Sequence, residues 1–283
     1  MIQVQLINDL KENVKAAKQA GKSIGFVPTM GFLHEGHMSL VKHAREENDF
    51  VIMSIFVNPA QFGPNEDLDR YPRDLERDTK MAVEAGVDLL FFPQAEEMYP
   101  QDGGITIRAG AQADVLCGAS RPGHFDGVLK VVTKLFHLVE PTKVYFGQKD
   151  AQQLAIIETY VRDYNFPLEV RRVPTVREED GLAKSSRNVF LSEKERVEAP
   201  LIQQAIQMGL EDYQKNQDAE KATLVTIQHI ENGTSGNIDY VELLSYPYLT
   251  NNLSNNKSII LAVAVFFEKA RLIDNLILNN KGE

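Results

Sequence analysis

Two histidines stand three residues apart in Phe26-Val27-Pro28-Thr29-Met30-Gly31-Phe32-Leu33-His34-Glu35-Gly36-His37. An imidazole can donate and accept at once, so such a pair suits either the oxygens of a phosphate or the coordination of a metal. The neighbouring residues help to choose. Ile24 to Val27 is a short apolar run that predicts a strand, ended by Pro28, which lacks a ladder donor. Gly31 and Gly36 let the backbone turn tightly and approach a ligand. Leu40, Val41 and Ala44 then fall at helical spacing, which puts His37 in the first turn of a helix. The free N–H groups and positive dipole end of a helix attract anions, so this strand, turn and helix predict a phosphate site. Zinc is the weaker reading. The order is His-Glu-Gly-His, not the two histidines four apart that share a helix face in zinc proteases, and no Cys/His cluster elsewhere adds ligands. A chance surface pair is the ordinary alternative, but neither histidine has an apolar neighbourhood to explain it.

Three more polar clusters follow predicted strands: Asn58 with Gln61; Gly147-Gln148-Lys149-Asp150 with Gln152 and Gln153; and Lys184-Ser185-Ser186-Arg187-Asn188. In open parallel sheets the carboxyl ends of the strands share one edge, where ligands bind. Together the clusters suit a polyanion beside a neutral polar ligand. Lys149 offers a compact charge and Arg187 a bidentate fork for phosphate oxygens. Ser185 and Ser186 add neutral donors from a flexible loop led by Asp180-Gly181-Leu182-Ala183. Gln61, Gln153 and Asn58 can hydrogen-bond hydroxyls and carboxylates without adding charge. No Ser-His-Asp or Cys-His nucleophile set is visible, and Cys117 has no evident activating partner. The G-x-x-x-x-G-K-[ST] loop and the G-x-G-x-x-G fingerprint are both absent, which argues against a P-loop kinase and an NAD enzyme.

The elements that must hold these residues alternate. A first helix is predicted over residues 8–20, with Asn8 or Asp9 as N-cap and Gly21 as its stop. Phe50 to Val57 reads as a strand covered on both faces. A helix from about Asp74 to Ala85 precedes a strand at Asp88 to Phe92, and Ile105 to Arg108 alternates like a short edge strand. Helical spacing runs through Val128, Val131, Val132, Leu135 and Leu138. Val144 to Phe146 is a strand, Asp150 caps a helix to about Tyr164, and Leu168 to Val173 is another strand. This predicts a doubly wound, Rossmann-like, mostly parallel sheet over residues 1–175. The rest, 176–283, reads as a smaller α+β domain expected to cover the site. There Ser192-Glu193-Lys194-Glu195 is a capping box opening a long helix, and a second helix lies near 219–231. Strands follow at Tyr240 to Leu244, Ile259 to Phe267 and Leu272 to Leu278, with Asn251 to Asn256 as a hairpin loop.

Composition narrows the classes. The 283 residues are 43% hydrophobic and 25% charged, ordinary for a globular protein. A net charge of −10 and a pI near 5.2 disfavour a nucleic-acid surface, which needs a basic face. An anionic small ligand remains open, because local cations can dominate their own pocket. One cysteine, Cys117, rules out an internal disulfide framework and suits a reducing cytosol. Met1-Ile2-Gln3-Val4 lacks the basic start of a secretory signal, and no apolar run approaches the ~20 residues of a membrane span. A cytoplasmic protein with small-molecule partners, without nucleic acid or membrane, is expected.

Five blocks stand in order: Pro28 to His37, Asn58-Pro-Ala-Gln61-Phe62-Gly63, Arg121-Pro122-Gly123-His124-Phe125, Phe146 to Asp150, and Ser185-Ser186-Arg187-Asn188. This closely resembles the pantoate–β-alanine ligase (pantothenate synthetase) family over nearly the whole chain. The His-x-Gly-His and Lys-Ser-Ser-Arg elements also resemble the two signatures of the wider nucleotidyl-transferase superfamily, which includes class I aminoacyl-tRNA synthetases. The resemblance implies two half-reactions. ATP and pantoate give an enzyme-bound pantoyl adenylate and pyrophosphate, with Mg²⁺; the amine of β-alanine then releases pantothenate and AMP. It implies that His34, His37, Lys149, Ser185, Ser186 and Arg187 contact ATP phosphates. Met30, Gly147, Asp150 and Val176 would line the nucleotide site, with Asp150 near the ribose. Gln61 and Gln153, with Asn58 beside them, would bind pantoate. Asp78 would lie near Mg²⁺, Arg121 and His124 would belong to a flap-like segment, and the molecule would be a homodimer. One departure is Lys184, where the family usually has Met. Its side chain either points to solvent while its backbone serves adenine, or adds a cation to the loop.

Rival readings differ in what they need. An adenylyl transferase acting on a phosphate ester needs further cations in its acceptor pocket. A tRNA synthetase needs a tRNA-binding module that an acidic chain does not offer. A non-catalytic nucleotide-binding protein would keep the ATP contacts and make no pantoate-dependent AMP.

Overall fold

The computed structural model describes residues 1–64, 66–101, 104–254 and 258–279. In chain order come β1 (Ile2–Val4), α1 (Ile7–Gln19), β2 (Ile24–Thr29), α2 (Glu35–Glu47), β3 (Phe50–Ile55), α3 (Leu75–Glu84), β4 (Leu89–Phe91), α4 (Ala95–Met98), α5 (Leu116–Ser120), α6 (His124–Val139), β5 (Lys143–Gly147), α7 (Ala151–Asp163) and β6 (Glu169–Val173). They are followed by α8 (Glu193–Glu198), α9 (Leu201–Asn216), α10 (Ala219–Gly233), β7 (Asn237–Tyr246), β8 (Ser258–Phe266) and β9 (Arg271–Asn279). Two compact units result. Met1–Ala109, Arg121–Gln148 and Ile156–Pro174 make the first; Gly110–Ser120, Lys149–Ala155 and Thr175–Glu283 make the second.

The first unit holds a six-stranded sheet in the order β1-β4-β3-β2-β5-β6, parallel at every pairing. This is the doubly wound architecture that the alternation predicts. The chain winds outward from β2 to β3 and β4, then returns to the other side of β2 as β5 and β6. β2 and β5 therefore flank the switch point, where open α/β sheets leave a crevice at the carboxyl ends of their strands. Phe26 and Val27 point to opposite faces and both are fully buried, as are Ile52 and Met53. A strand covered on both faces has to be apolar throughout, which is why these runs do not alternate.

Pro28 does not end β2, which continues to Thr29. Thr29 and Ser23 offer their carbonyls to β3, and Ile24 offers its own to Thr142 at the head of β5. By that parity Pro28 faces β5, where registered pairing stops at Phe26, so its missing N–H breaks no ladder bond. The first helix starts at Ile7, with Leu6 rather than Asn8 or Asp9 as N-cap. Its first amide is satisfied from a distance, Ile7 N–H donating to Glu97 Oε1 at 2.7 Å. Ile105 to Arg108 is not a strand; Ile105 is 81% exposed and the segment pairs with nothing in the sheet. β1 supplies an edge instead.

The second unit has an antiparallel sheet β7-β8-β9. Ile259, Leu261, Val263 and Val265 of β8 join a core with Ile202, Ala205, Ile206 and Leu210 of α9 and Ala222 and Ile230 of α10. The alternate residues, Ile260 and Ala262, pack with Leu116, Ala151 and Ala155. β8 is thus buried on both faces, and its second face draws two short stretches of the preceding sequence into this unit. The capping box of Ser192 and Glu195 forms as expected, yet α8 is only six residues long. Pro200 interrupts it, since it has no N–H to continue the ladder, and a separate helix starts at Leu201. The second helix and the three strands fall where periodicity puts them. Of the expected loop, Asn255 and Asn256 lie outside the described residues.

Glu47, at the end of α2, ties that helix to two strands. Its carboxylate accepts from Arg171 Nε at 2.8 Å, from Lys143 Nζ at 3.1 Å and from the Tyr145 hydroxyl at 3.0 Å. The Arg171 hydrogen bond is the main reason its pKa falls from 4.5 to about 2, against the opposing effect of burial. A depressed carboxylate gives stability that is present above pH 4.5 and lost as the pH falls towards 2. In acid titrations followed by melting temperature, Glu47→Gln is expected to start less stable at neutral pH and to lose less between pH 4.5 and about 2. Parallel curves would show that the cluster contributes nothing through ionisation.

Candidate active site

The turn between β2 and α2 is built by its backbone. Gly31 (φ +84°) and Phe32 (φ +47°) both adopt left-handed conformations. A Cβ at Gly31 would stand 2.9 Å from Ile55 Cγ2 and 3.0 Å from Asp78 Oδ2, so only glycine fits. Asp78 of α3 accepts from Phe32 N–H at Oδ2 and from Leu33 N–H at Oδ1, both at 2.7 Å. Burial pushes the Asp78 carboxyl above the ordinary aspartate range, and the two amides oppose the shift. Its nearest cation is Arg77 Nη1 at 3.8 Å.

His34 then caps α2. Its Nδ1 accepts from Gly36 N–H at 3.1 Å, and His37 Nδ1 accepts from His34 N–H at 3.3 Å. The reciprocal cap that serine and glutamate usually make is made here by two imidazoles with ring centroids 4.1 Å apart. Because each Nδ1 accepts, the proton of each neutral ring sits on Nε2. The helix mouth therefore carries two Nε2–H donors beside the positive end of the helix dipole, which suits an oxyanion.

Behind this, Gln61 is placed by Asn58. Asn58 is 1% exposed; it donates from Nδ2 to Gln61 Oε1 at 2.9 Å and to Gly127 carbonyl at 3.1 Å. Its Oδ1 accepts from Ala60 N–H at 3.2 Å and from the Tyr99 hydroxyl at 2.9 Å. Asn58 is therefore committed to protein partners and orients Gln61 rather than reaching a ligand. Gln61 Nε2 is 3.3 Å from Met30 Sδ, a weak acceptor, which leaves most of its donor capacity for a stronger one. Gly127 permits this arrangement, since a Cβ there would lie 2.1 Å from Ala60 carbonyl oxygen. Arg121 grips Glu66 with Nε at 2.8 Å and Nη2 at 2.5 Å, and His124 Nδ1 donates to Gln61 carbonyl at 2.8 Å. Burial is the largest influence on Glu66 and opposes its ionisation, but the Arg121 hydrogen bond, the charges of Arg121 and His124 and the Gly63 backbone together outweigh it and hold the carboxyl below its ordinary range.

In the second unit, Lys149 and Ser185 line one cleft with Ala183, Asn188 and Asp274. Lys149 carbonyl accepts from Asn275 Nδ2 at 2.9 Å, and its Nζ stands 3.8 Å from the half-exposed Asp150. Gly147 ends β5 immediately before the turn Gln148–Asp150 that brings in Lys149, and Gln153 lies half-buried in the first turn of α7. The stretch expected as a flexible loop is instead a bridged turn. Lys184 N–H donates to Val176 carbonyl at 2.9 Å and Glu178 N–H to Leu182 carbonyl at 2.8 Å, with Gly181 at φ +95°. Arg177 fastens it to Asp274 through two bonds of 2.6 and 2.8 Å. Ser185 caps the short helical turn Ser186–Phe190, its Oγ accepting from Arg187 N–H at 3.2 Å.

Asp78, expected near Mg²⁺, has each oxygen on one backbone amide, which occupies one of the two acceptor sites of each. Among the described residues, no group of three or more His, Cys, Asp or Glu could hold a metal ion. Tyr99, Glu66, Glu178 and Asn275 were not expected. Each acts through a partner far away in sequence or across a turn, and no local pattern announces it. No helix among the described residues is long and apolar enough to cross a membrane.

Fold and site together define a Rossmann-like α/β protein with a reciprocally capped histidine pair at its switch point. The family model for pantoate-beta-alanine ligase matches residues 3–277. A pantothenate synthetase of Lysinibacillus sphaericus (strain C3-41) is 61% identical over 275 residues, covering 97% of each chain. One of Bacillus subtilis (strain 168) is 56% identical over 279 residues, 99% of this chain and 98% of that one. The crystal structure of pantothenate synthetase from Thermus thermophilus superposes with a TM-score of 0.92 at 45% identity, covering 98% of this chain and 99% of that one. The pantoate-beta-alanine ligase of Francisella tularensis, solved with a β,γ-ATP ligand and β-alanine, gives 0.81 at 36% identity over 98% and 97%. The chain belongs to the pantoate–β-alanine ligase family and is an enzyme of the ligase class.

Lys184, where the family pattern usually has methionine, is paired with Glu178 at 2.7 Å, and both side chains are largely covered. Lys184→Met leaves the Glu178 carboxylate without this partner. It is expected to cost up to about 1 kcal/mol of stability, and Glu178→Gln added to it is expected to recover the loss. Losses that simply add in the double variant would show that the two side chains do not act as a pair.

Proposed function

We propose that the chain joins pantoate to β-alanine in two steps, the first of which consumes ATP. The observation that carries this reading is the reciprocal His34/His37 cap, in which each Nδ1 accepts a backbone N–H at the amino end of α2 beside the switch-point turn. A carboxylate oxygen of pantoate attacks the α-phosphorus of ATP, the bond to the β-phosphate oxygen breaks, and pyrophosphate leaves. The nitrogen of β-alanine then attacks the acyl carbon, AMP departs with the electron pair of the acyl–oxygen bond, and the amine loses a proton. No protein nucleophile is required. The first step brings two anions together, so positioning and donors facing the developing charge lower its barrier.

In this reading His34, His37, Lys149, Ser185, Ser186 and Arg187 bind the phosphates, with Met30, Gly147, Asp150, Val176 and Lys184 around the nucleotide. Gln61 and Gln153 hold pantoate, and Asn58 fixes Gln61. Mg²⁺ enters as the counterion of ATP, held mainly by phosphate oxygens and water, a mode that needs few protein ligands. The family resemblance extends the proposal to a cytoplasmic homodimer.

Pyrophosphate release from ATP with pantoate alone, followed by AMP release on adding β-alanine, tests the whole reading. Release without pantoate, or transfer of AMP to a phosphate ester, would replace it with one of the rival activities. His34→Ala and His37→Ala are expected to fold and to lose roughly 10²-fold or more in adenylate formation; near-normal turnover in a folded variant would remove the ring from the chemistry. Gln61→Ala and Gln153→Ala are expected to raise the KM for pantoate far more than that for ATP. Equal losses for both substrates would make the glutamines scaffold.

A further inference from the structure

The Gln61 amide is held in one orientation. Its Oε1 accepts from Asn58 Nδ2 at 2.9 Å. Asn58 is itself fixed at three more points, the Gly127 carbonyl at 3.1 Å, Ala60 N–H at 3.2 Å and the Tyr99 hydroxyl at 2.9 Å. Turning the Gln61 amide over would set its NH₂ against that of Asn58, two donors face to face. Nε2 therefore faces one way, and the atom it meets there is Met30 Sδ at 3.3 Å. A thioether is a weak acceptor, so a ligand oxygen displaces it at little cost. That holds only while the sulfur remains a thioether. Met30 is partly exposed, between the end of β2 and the turn at Gly31, whereas Met53 and Met98 are fully buried. Oxidants dissolved in water therefore reach its sulfur more readily than those of the two core methionines.

We propose that Met30 is an oxidation site that governs pantoate binding: its sulfoxide takes the Gln61 Nε2–H and competes with the substrate for it. In the step a sulfur lone pair attacks one oxygen of hydrogen peroxide and the O–O bond breaks. The departing hydroxide collects the remaining proton and leaves as water, so the thioether is oxidised and the peroxide reduced. The new oxygen is a far better acceptor than the sulfur, and the rotatable bonds of methionine let it reach Nε2. Because Asn58 bars the amide from turning away, Gln61 has no second orientation in which to serve pantoate. A dithiol-dependent methionine sulfoxide reductase removes the oxygen as water and restores the sulfide. The inference rests on the function proposed above, in which Gln61 holds pantoate, and adds a reversible control of that same contact.

The test treats the full-length chain with hydrogen peroxide, removes the peroxide, and compares each protein with its own untreated state. Peptide mass spectrometry is expected to find one added oxygen on Met30, as on the exposed Met1 and Met208. The KM for pantoate is expected to rise about 10-fold or more, the scale of a lost hydrogen bond to a charged ligand, and the KM for ATP to move by less than about 2-fold. Methionine sulfoxide reductase is expected to restore the starting value. With no substrate added, the side-chain amide protons of Gln61, identified by their absence in Gln61→Ala, are expected to shift downfield in NMR spectra on oxidation. Met30→Leu keeps Met1, Met208 and Cys117 open to the oxidant and is expected to hold its own KM for pantoate through the treatment. Met30→Gln offers a carbonyl oxygen in place of the sulfur and is expected to show a raised KM for pantoate without peroxide. Met30 unoxidised while Met1 and Met208 react, an oxidised Met30 with unchanged KM for pantoate, equal rises for both substrates, or a Met30→Leu variant as sensitive as wild type would each overturn the proposal. An untreated wild-type chain without pantoate-dependent pyrophosphate release would sink the proposed function instead, while the amide shift still judges the contact between Met30 and Gln61.

Discussion

Two backbone amides held by one buried carboxylate govern the chemistry-bearing part of the first unit. The hydrogen bonds from Phe32 and Leu33 to Asp78 fix a turn that the chain would not otherwise choose, because Phe32 carries a side chain where glycine would be at ease. Once that turn is set, His34 arrives in extended conformation as an N-cap and α2 begins at Glu35. The cap uses both Nδ1 atoms, so the tautomers follow from backbone geometry rather than from any neighbouring charge. Strand, turn, cap and donor form one causal sequence, and the sheet order puts its outcome at the switch point.

The second unit obeys a different constraint. β8 is apolar on both faces and must be covered on both. Helices α9 and α10 cover one face, and residues from Leu116 and from Ala151 to Ala155 contribute to the cover of the other. That requirement pulls Lys149 to Ala155 out of the α/β unit, although the sequence around them continues directly from β5. Lys149 is thereby packed with the bridged turn that carries Ser185, and Asn275 of β9 anchors its carbonyl.

How much of this was legible follows from range. Strands such as Phe50 to Ile55 and helices such as His124 to Val139 declare themselves, because burial on both faces or on one stripe writes a local period. The motifs were legible for a similar reason, being contiguous runs. What stayed hidden depends on distant partners. Pro28 could be read only as a terminator until the parity of β2 showed which neighbour it faces. The cap of α1 comes from Glu97, ninety positions away. Asn58 reads as a ligand contact from its chemistry; only the Tyr99 hydroxyl and Gly127 carbonyl reveal that its amide is taken. Ile105 to Arg108 has strand alternation and no strand to join, so periodicity without a partner predicted too much.

The charge pattern makes sense in the same terms. Net charge is −10, and several cations beside the motifs are matched: Arg121 by Glu66, Arg177 by Asp274, Lys184 by Glu178. These pairs fix loops and turns and neutralise the cations they hold. The histidine pair works differently. In the neutral form its donors carry no net charge, and their direction is fixed by the caps. Directed neutral donors gain most when an oxyanion develops charge at the place they face, and gain less from a diffuse anion elsewhere. In the proposed reaction, a helix mouth capped by two imidazoles would favour the changing charge of the transferring group over the static charge of a bound one.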